Sequence, residues 1–134
     1  MNEKFIKYGY IIIKNFFTLS EIDEMRKISH DYLNSGGGFP NSGGIAKPDW
    51  IKVNDLRRIK DIIFGKNIED QIFNMIGEKV YFISHNDLHM NRSVGWHKDR
   101  LNGEARKFEK NNPWSNVRGE TMKIYKANIY LQDH

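Results

Sequence analysis

The sequence predicts an α+β fold with a mainly β core, built as a single domain over residues 1–134, and three observations lead there. First, a capped amphipathic helix begins after Thr18. Second, Lys79 to Met90 reads as a strand whose two faces both carry polar atoms, which suits a barrel with a wet, functional interior better than a dry sandwich core. Third, Thr121 to Asp133 reads as a last strand in which Met122, Ile124, Ala127, Ile129 and Leu131 supply the apolar matter. A chain of 134 residues is near the modal domain size, and its three Trp, six Tyr and eight Phe are enough to build a core.

Taken in order, Lys4 to Phe17 is rich in β-branched and aromatic residues and is expected to be extended, bounded by Gly9. Thr18-Leu19-Ser20-Glu21 then forms a capping-box pattern, in which the Thr18 hydroxyl accepts from the backbone N–H of Glu21. Leu19, Ile22, Met25, Ile28, Tyr32 and Leu33 recur at three- and four-residue steps, so one helix face is apolar while Glu21, Asp23, Glu24, Arg26 and Lys27 face water. Asn34-Ser35-Gly36 signals its end. Asn34 to Pro48, rich in Gly, Ser, Asn and Pro, is expected to be a long loop, and a substrate-covering flap fits it. Its glycines match neither a Walker A nor a GxGxxG pattern, which argues against a phosphate-cradling loop. A second helical region runs from Trp50 through Ile59, Ile62, Ile63 and Phe64, then resumes at Lys66 with Ile68, Ile72, Phe73, Met75 and Ile76 until Gly77 closes it. Residues 101–120 are charged and irregular.

Composition narrows the chemistry. With no cysteine there is no disulfide framework and no thiolate metal site, so a bound metal would be held by nitrogen and oxygen donors. The N-terminus has only three consecutive isoleucines between polar residues, too short for a signal-peptide core or a membrane span, so a soluble, cytoplasmic protein is expected. The formal charge is +4 and Arg57, Arg58 and Lys60 form the densest basic cluster. Acidic residues are interspersed along the chain, however, and no long basic stripe emerges, so this reads as solvated charge and not as a nucleic-acid surface.

The segment Gly95-Trp96-His97-Lys98-Asp99-Arg100 carries the sharpest chemical signal. Alternate side chains of an extended backbone point the same way, so His97 and Asp99 present an imidazole and a carboxylate to one ion while Lys98 faces elsewhere. That is two thirds of a 2-His-1-carboxylate facial triad, which holds non-haem Fe(II) by one face and leaves the other positions open. Five histidines and nine aspartates produce a His-x-Asp by chance often enough that the motif alone is weak. A second copy, His85-Asn86-Asp87, extends to His89. At about 3.3 Å per residue, His85 and His89 would stand roughly 13 Å apart on a straight strand. Metal–donor distances are about 2 Å, so the three read as residues on a strand face or lining a pocket.

The surroundings of His97 and Asp99 add to the motif. YGYIIIKNFFTLSEIDEMRK, WIKVNDL, YFISHNDLHMNRSVGWHKDR and ANIYLQDH together resemble, in order, the phytanoyl-CoA dioxygenase (PhyH-like) family of Fe(II)/2-oxoglutarate-dependent oxygenases. The resemblance implies a double-stranded β-helix, a cupin-like jelly roll with N-terminal helices. It also implies iron held by His97 and Asp99, with 2-oxoglutarate and O₂ as cosubstrates and a small organic molecule hydroxylated. Lys52 matches the lysine of the family's Lys-Val-x-Asp segment, where the resemblance implies a bond to a cosubstrate carboxylate; Asp87 would be a neighbour of that site. The family's later histidine and its 2-oxoglutarate-binding arginine have no counterpart here, and His134 matches the end of the intervening strand. The chain is therefore expected to be the N-terminal part of such a domain, cut after about half of the barrel, and by itself inactive. Tyr10, Trp50, Trp96 and Trp114 could line an apolar pocket or be core. A jelly-roll binding domain without catalysis is the rival reading, and a nucleic-acid-binding module a more distant one.

Overall fold

A computed structural model describes residues 3–79, 82, 86–91, 115–117, 120–121 and 126–131. Two compact units are present, one formed by residues 1–93 with 131–134 and the other by residues 94–130.

In the first unit the extended N-terminus expected from composition is replaced by a short helix, α1 (Glu3–Tyr8), which buries no residue. Local closure decides this: Gly9, at φ 76°, ends the helix by donating its N–H to the Phe5 carbonyl at 2.9 Å. The isoleucines that suggested a strand come after it, and Ile12 and Ile13 are 73% and 46% exposed. Helix α2 (Leu19–Tyr32) starts as the capping box predicts. The Glu21 N–H donates to Thr18 Oγ1 at 3.3 Å, and the Thr18 N–H donates to Glu21 Oε2 at 2.8 Å. Its inward face buries Met25 and Ser29 and half-buries Ile22, Ile28 and Tyr32. Leu19, in the first turn, is the exception at 79% exposed. The Ser29 hydroxyl, the buried polar group of this face, donates to the Met25 carbonyl at 2.7 Å.

Residues 34–48 are not the single loop expected. A π turn over Leu33–Gly37 leads into a β-hairpin of β1 (Phe39–Asn41) and β2 (Gly44–Pro48). Ser42 at φ 49° and Gly43 at φ 81° form its two-residue turn, the backbone sign required by a type I′ hairpin. Pairing Asn41 with Gly44 across that turn makes theirs the hydrogen-bonded pair, so Pro40, opposite Ile45, lies at a position whose amide side faces away from β2.

The second helical region is divided more finely than its apolar period suggested. Turns of 3₁₀ type at Trp50–Lys52 and Asn54–Leu56 lead into α3 (Arg57–Phe64), followed by α4 (Ile68–Ile76). Gly77, left-handed at φ 79°, closes α4 with a 2.7 Å bond to the Phe73 carbonyl, as expected. Within the strand expected at 79–90, regular structure among the described residues is confined to β3 (Asp87–Met90). It pairs antiparallel with β2, giving a sheet of order β1-β2-β3.

Met25, Trp50, Leu56, Ile59, Ile62 and Ile63 form the core, with Phe17, Leu88 and Leu131 packed against it. Bidentate bonds from Arg58 to Glu24, at 2.7 and 3.0 Å, and a 2.8 Å ion pair between Lys66 and Glu21 tie α2 to α3 and the turn after it. Arg26 Nε donates to the Leu131 carbonyl.

In the second unit, β4 (Ser115–Val117) and β5 (Glu120–Thr121) pair antiparallel with an irregular register, across a stretch expected to be irregular up to residue 120 and a strand from Thr121. Residues 126–130 carry no regular structure, so the described part of the strand expected over 121–133 is limited to Thr121. Among the described residues no helix is long and apolar enough to cross a membrane.

Candidate functional site

Lys52 ends the 3₁₀ turn that follows β2, and that turn is fixed from two directions. Within it, the Lys52 N–H donates to the Asp49 carbonyl at 3.0 Å and Val53 N–H to the Trp50 carbonyl at 2.9 Å. From outside, Asn86 holds it twice: its carbonyl accepts the Asp49 N–H at 2.7 Å and its side-chain Oδ1 accepts the half-buried Ile51 N–H at 3.1 Å. One asparagine at the entry to β3 thus joins two segments 35 residues apart. Asp49 sits in the left-handed region at φ 54°, a conformation that short Asp and Asn side chains tolerate better than most. Trp50 is buried beneath the turn, which makes it a core residue, whereas Tyr10 is 61% exposed.

The Lys52 ammonium bonds Asp49 Oδ2 at 3.3 Å and is 66% exposed. It borders an open surface hollow of about 340 Å³ lined by Ile51, Lys52, Val53, Asn54, Arg57, Lys60 and Asp61. The basic cluster seen in the sequence divides here. Arg57 and Lys60 border the hollow, while Arg58 turns to Glu24, which lowers the Glu24 carboxyl below its ordinary range and raises the guanidinium.

On β3 the alternation expected from the sequence is present: Asp87 and His89 are exposed, and Leu88 and Met90 are half-buried. Asp87 Oδ2 and His89 Nε2 are 3.8 Å apart, a contact that adds charge attraction when the imidazole is protonated. Asp87 pairs with Pro48 in the sheet register, four residues before Lys52. His97 and Asp99, the expected iron ligands, lie outside the described residues, as do His85, His134, Trp96 and Trp114. Among the described residues no three His, Cys, Asp or Glu side chains gather as a metal site.

Asn86 and Asp49 are the two residues of this region that sequence reasoning missed. Asn86 was visible as a polar residue at a strand entry, but its partner lies far away along the chain. The chain has no significant match to a protein-family model, to a curated protein or to a solved structure.

Proposed function

We propose that this chain contributes the first two metal ligands and a cosubstrate contact to an Fe(II)/2-oxoglutarate-dependent dioxygenase of the PhyH-like kind, built on a double-stranded β-helix. The observation that supports the reading is the Asn86 clamp, which joins two of the segments that carry the resemblance, WIKVNDL and YFISHNDLHMNRSVGWHKDR, at the Lys52 turn and the entry to β3. The donor set suits the metal: an imidazole and a carboxylate in a chain without cysteine are ligands for iron, not for a thiolate-bound ion.

In this reading His97 and Asp99 would hold Fe(II). Iron held there would supply the oxidative decarboxylation of 2-oxoglutarate to succinate and CO₂, with one atom of O₂ entering succinate and the other a substrate C–H bond. The protein's own residues orient and exclude water. Lys52 donates to a carboxylate of 2-oxoglutarate, exchanging its loose contact with Asp49 for a charge-assisted bond. Asn86 keeps the backbone beneath Lys52 in place.

The test is Fe(II)-dependent succinate formation by the protein to which this sequence belongs. His97→Ala and Asp99→Ala abolish it, whereas His85→Ala retains measurable metal binding. Equal loss of iron from all three variants would refute the division between the two His-x-Asp copies.

A further inference from the structure

The basic residues around the hollow below Lys52 come from two segments brought together by the fold. Arg57, Lys60 and Asp61 share one face of α3 by their three- and four-residue spacing, opposite the face that buries Ile59, Ile62 and Ile63. Lys52 arrives from the preceding turn, and Val53 and Asn54 connect the two. Three cations against one carboxylate leave the lining with a net charge of about +2. The Arg57 N–H is already held by the Asn54 carbonyl, so the field in the hollow comes from the side chains.

We propose that this hollow binds the phosphate group of a phosphate monoester, a ligand different from 2-oxoglutarate although Lys52 is shared with the cosubstrate contact proposed above. Size and charge both fit a single dianionic group. A volume of about 340 Å³ is at the lower end of small-molecule sites, and its open side leaves the remainder of the ester in solvent. The existing partners yield readily: Lys52 meets Asp49 at 3.3 Å and Arg57 meets Asp61 at 3.9 Å, both between exposed side chains. Arg57 brings a planar fork of donors suited to phosphate oxygens, and Lys60 a mobile point charge. A nucleic-acid strand fits less well, because the sequence carries no long basic stripe for a backbone to follow beyond these three cations.

The experiment follows backbone amide shifts of residues 51–61 in the 134-residue chain during titration with inorganic phosphate and with glycerol 1-phosphate. Saturable binding is expected, with a dissociation constant on the order of 1 mM. Arg57→Gln and Lys60→Gln each weaken it about fivefold, while Lys27→Gln, which removes one positive charge from α2 outside the lining of the hollow, changes it less than about twofold. No saturation by about 50 mM phosphate, or equal weakening by Lys27→Gln, overturns the proposal. Tighter binding of 2-oxoglutarate or of a short oligonucleotide at the same residues overturns it as well. Lys52 is common to both readings, so the readouts separate them: absence of phosphate saturation leaves succinate formation untouched, whereas 2-oxoglutarate binding at these residues without phosphate binding sides with the oxygenase contact.

Discussion

Removing the Asn86 side chain tests how firmly the Lys52 turn is held. In Asn86→Ala the 2.7 Å bond from the Asp49 N–H to the residue 86 carbonyl survives, because it is backbone to backbone. The 3.1 Å bond from Ile51 N–H to Oδ1 is lost, and that donor is half-buried. A buried donor left without its acceptor costs about 1–3 kcal/mol, and partial access of water to Ile51 brings the expectation to about 1–2 kcal/mol. Urea unfolding followed by tryptophan fluorescence measures this loss, with the slope of the transition unchanged. Asn86→Asp, which keeps an acceptor at the same place, loses less. Amide exchange supplies the local readout: Ile51 becomes faster in Asn86→Ala while amides of α4 change only by the global destabilisation. A stability within about 0.3 kcal/mol of the parent, together with unchanged protection at Ile51, would refute the clamp.

Three further outcomes are expected. Leu56→Ala empties a fully buried position of the core cluster and should cost about 2–5 kcal/mol by calorimetry; a smaller loss would mean that the cluster collapses around the void. Glu21 is held down from 4.5 to about 2, first by its bond to Lys66 and then by the Thr18 amide, so the unfolded chain takes up this proton before the folded one does. Its contribution is complete above about pH 4.5 and is lost as pH falls towards 2, and Glu21→Gln should flatten the acid limb of the stability curve over that window. On the oxygenase proposal, Lys52→Met should raise the apparent 2-oxoglutarate constant about tenfold and leave Fe(II) affinity unchanged, because the charge-assisted bond assigned to it there would form at a largely exposed side chain; an unchanged constant returns Lys52 to the solvated surface.

The parts of the fold legible in the sequence are those decided by neighbours along the chain. The α2 start is written in Thr18 and Glu21, three residues apart, and the α4 stop in Gly77. The hairpin was harder to see because Asn41-Ser42-Gly43-Gly44 has the chemistry of a tight turn, but its flanks are only three and five residues long and each contains a proline. Tyr10 to Ile13 misled in the opposite way: β-branched residues favour a pleated surface only where one is available, and among the described residues no strand pairs with them. The candidate site follows the same division. Lys52 could be singled out from its motif, but that Arg57 and Lys60 share a hollow with it depends on how two 3₁₀ turns reverse the chain. Asn86 depends on a pairing across 35 residues, which no local pattern records.

Pro40 gives the small sheet a direction of growth. The outer side of β1 offers the Pro40 carbonyl as an acceptor but no donor beside it, so a strand arriving there would find a broken ladder. Phe39 beside it is 48% exposed and would otherwise favour such an arrival, which gives Pro40 the part of a gatekeeper against edge-to-edge aggregation. At the opposite boundary of the described sheet, β3 has no proline among Asp87, Leu88, His89 and Met90, and every one of its residues carries an amide proton. Added strands are thus disfavoured on the β1 side, and the sheet has one poisoned face in the sense of a growing crystal.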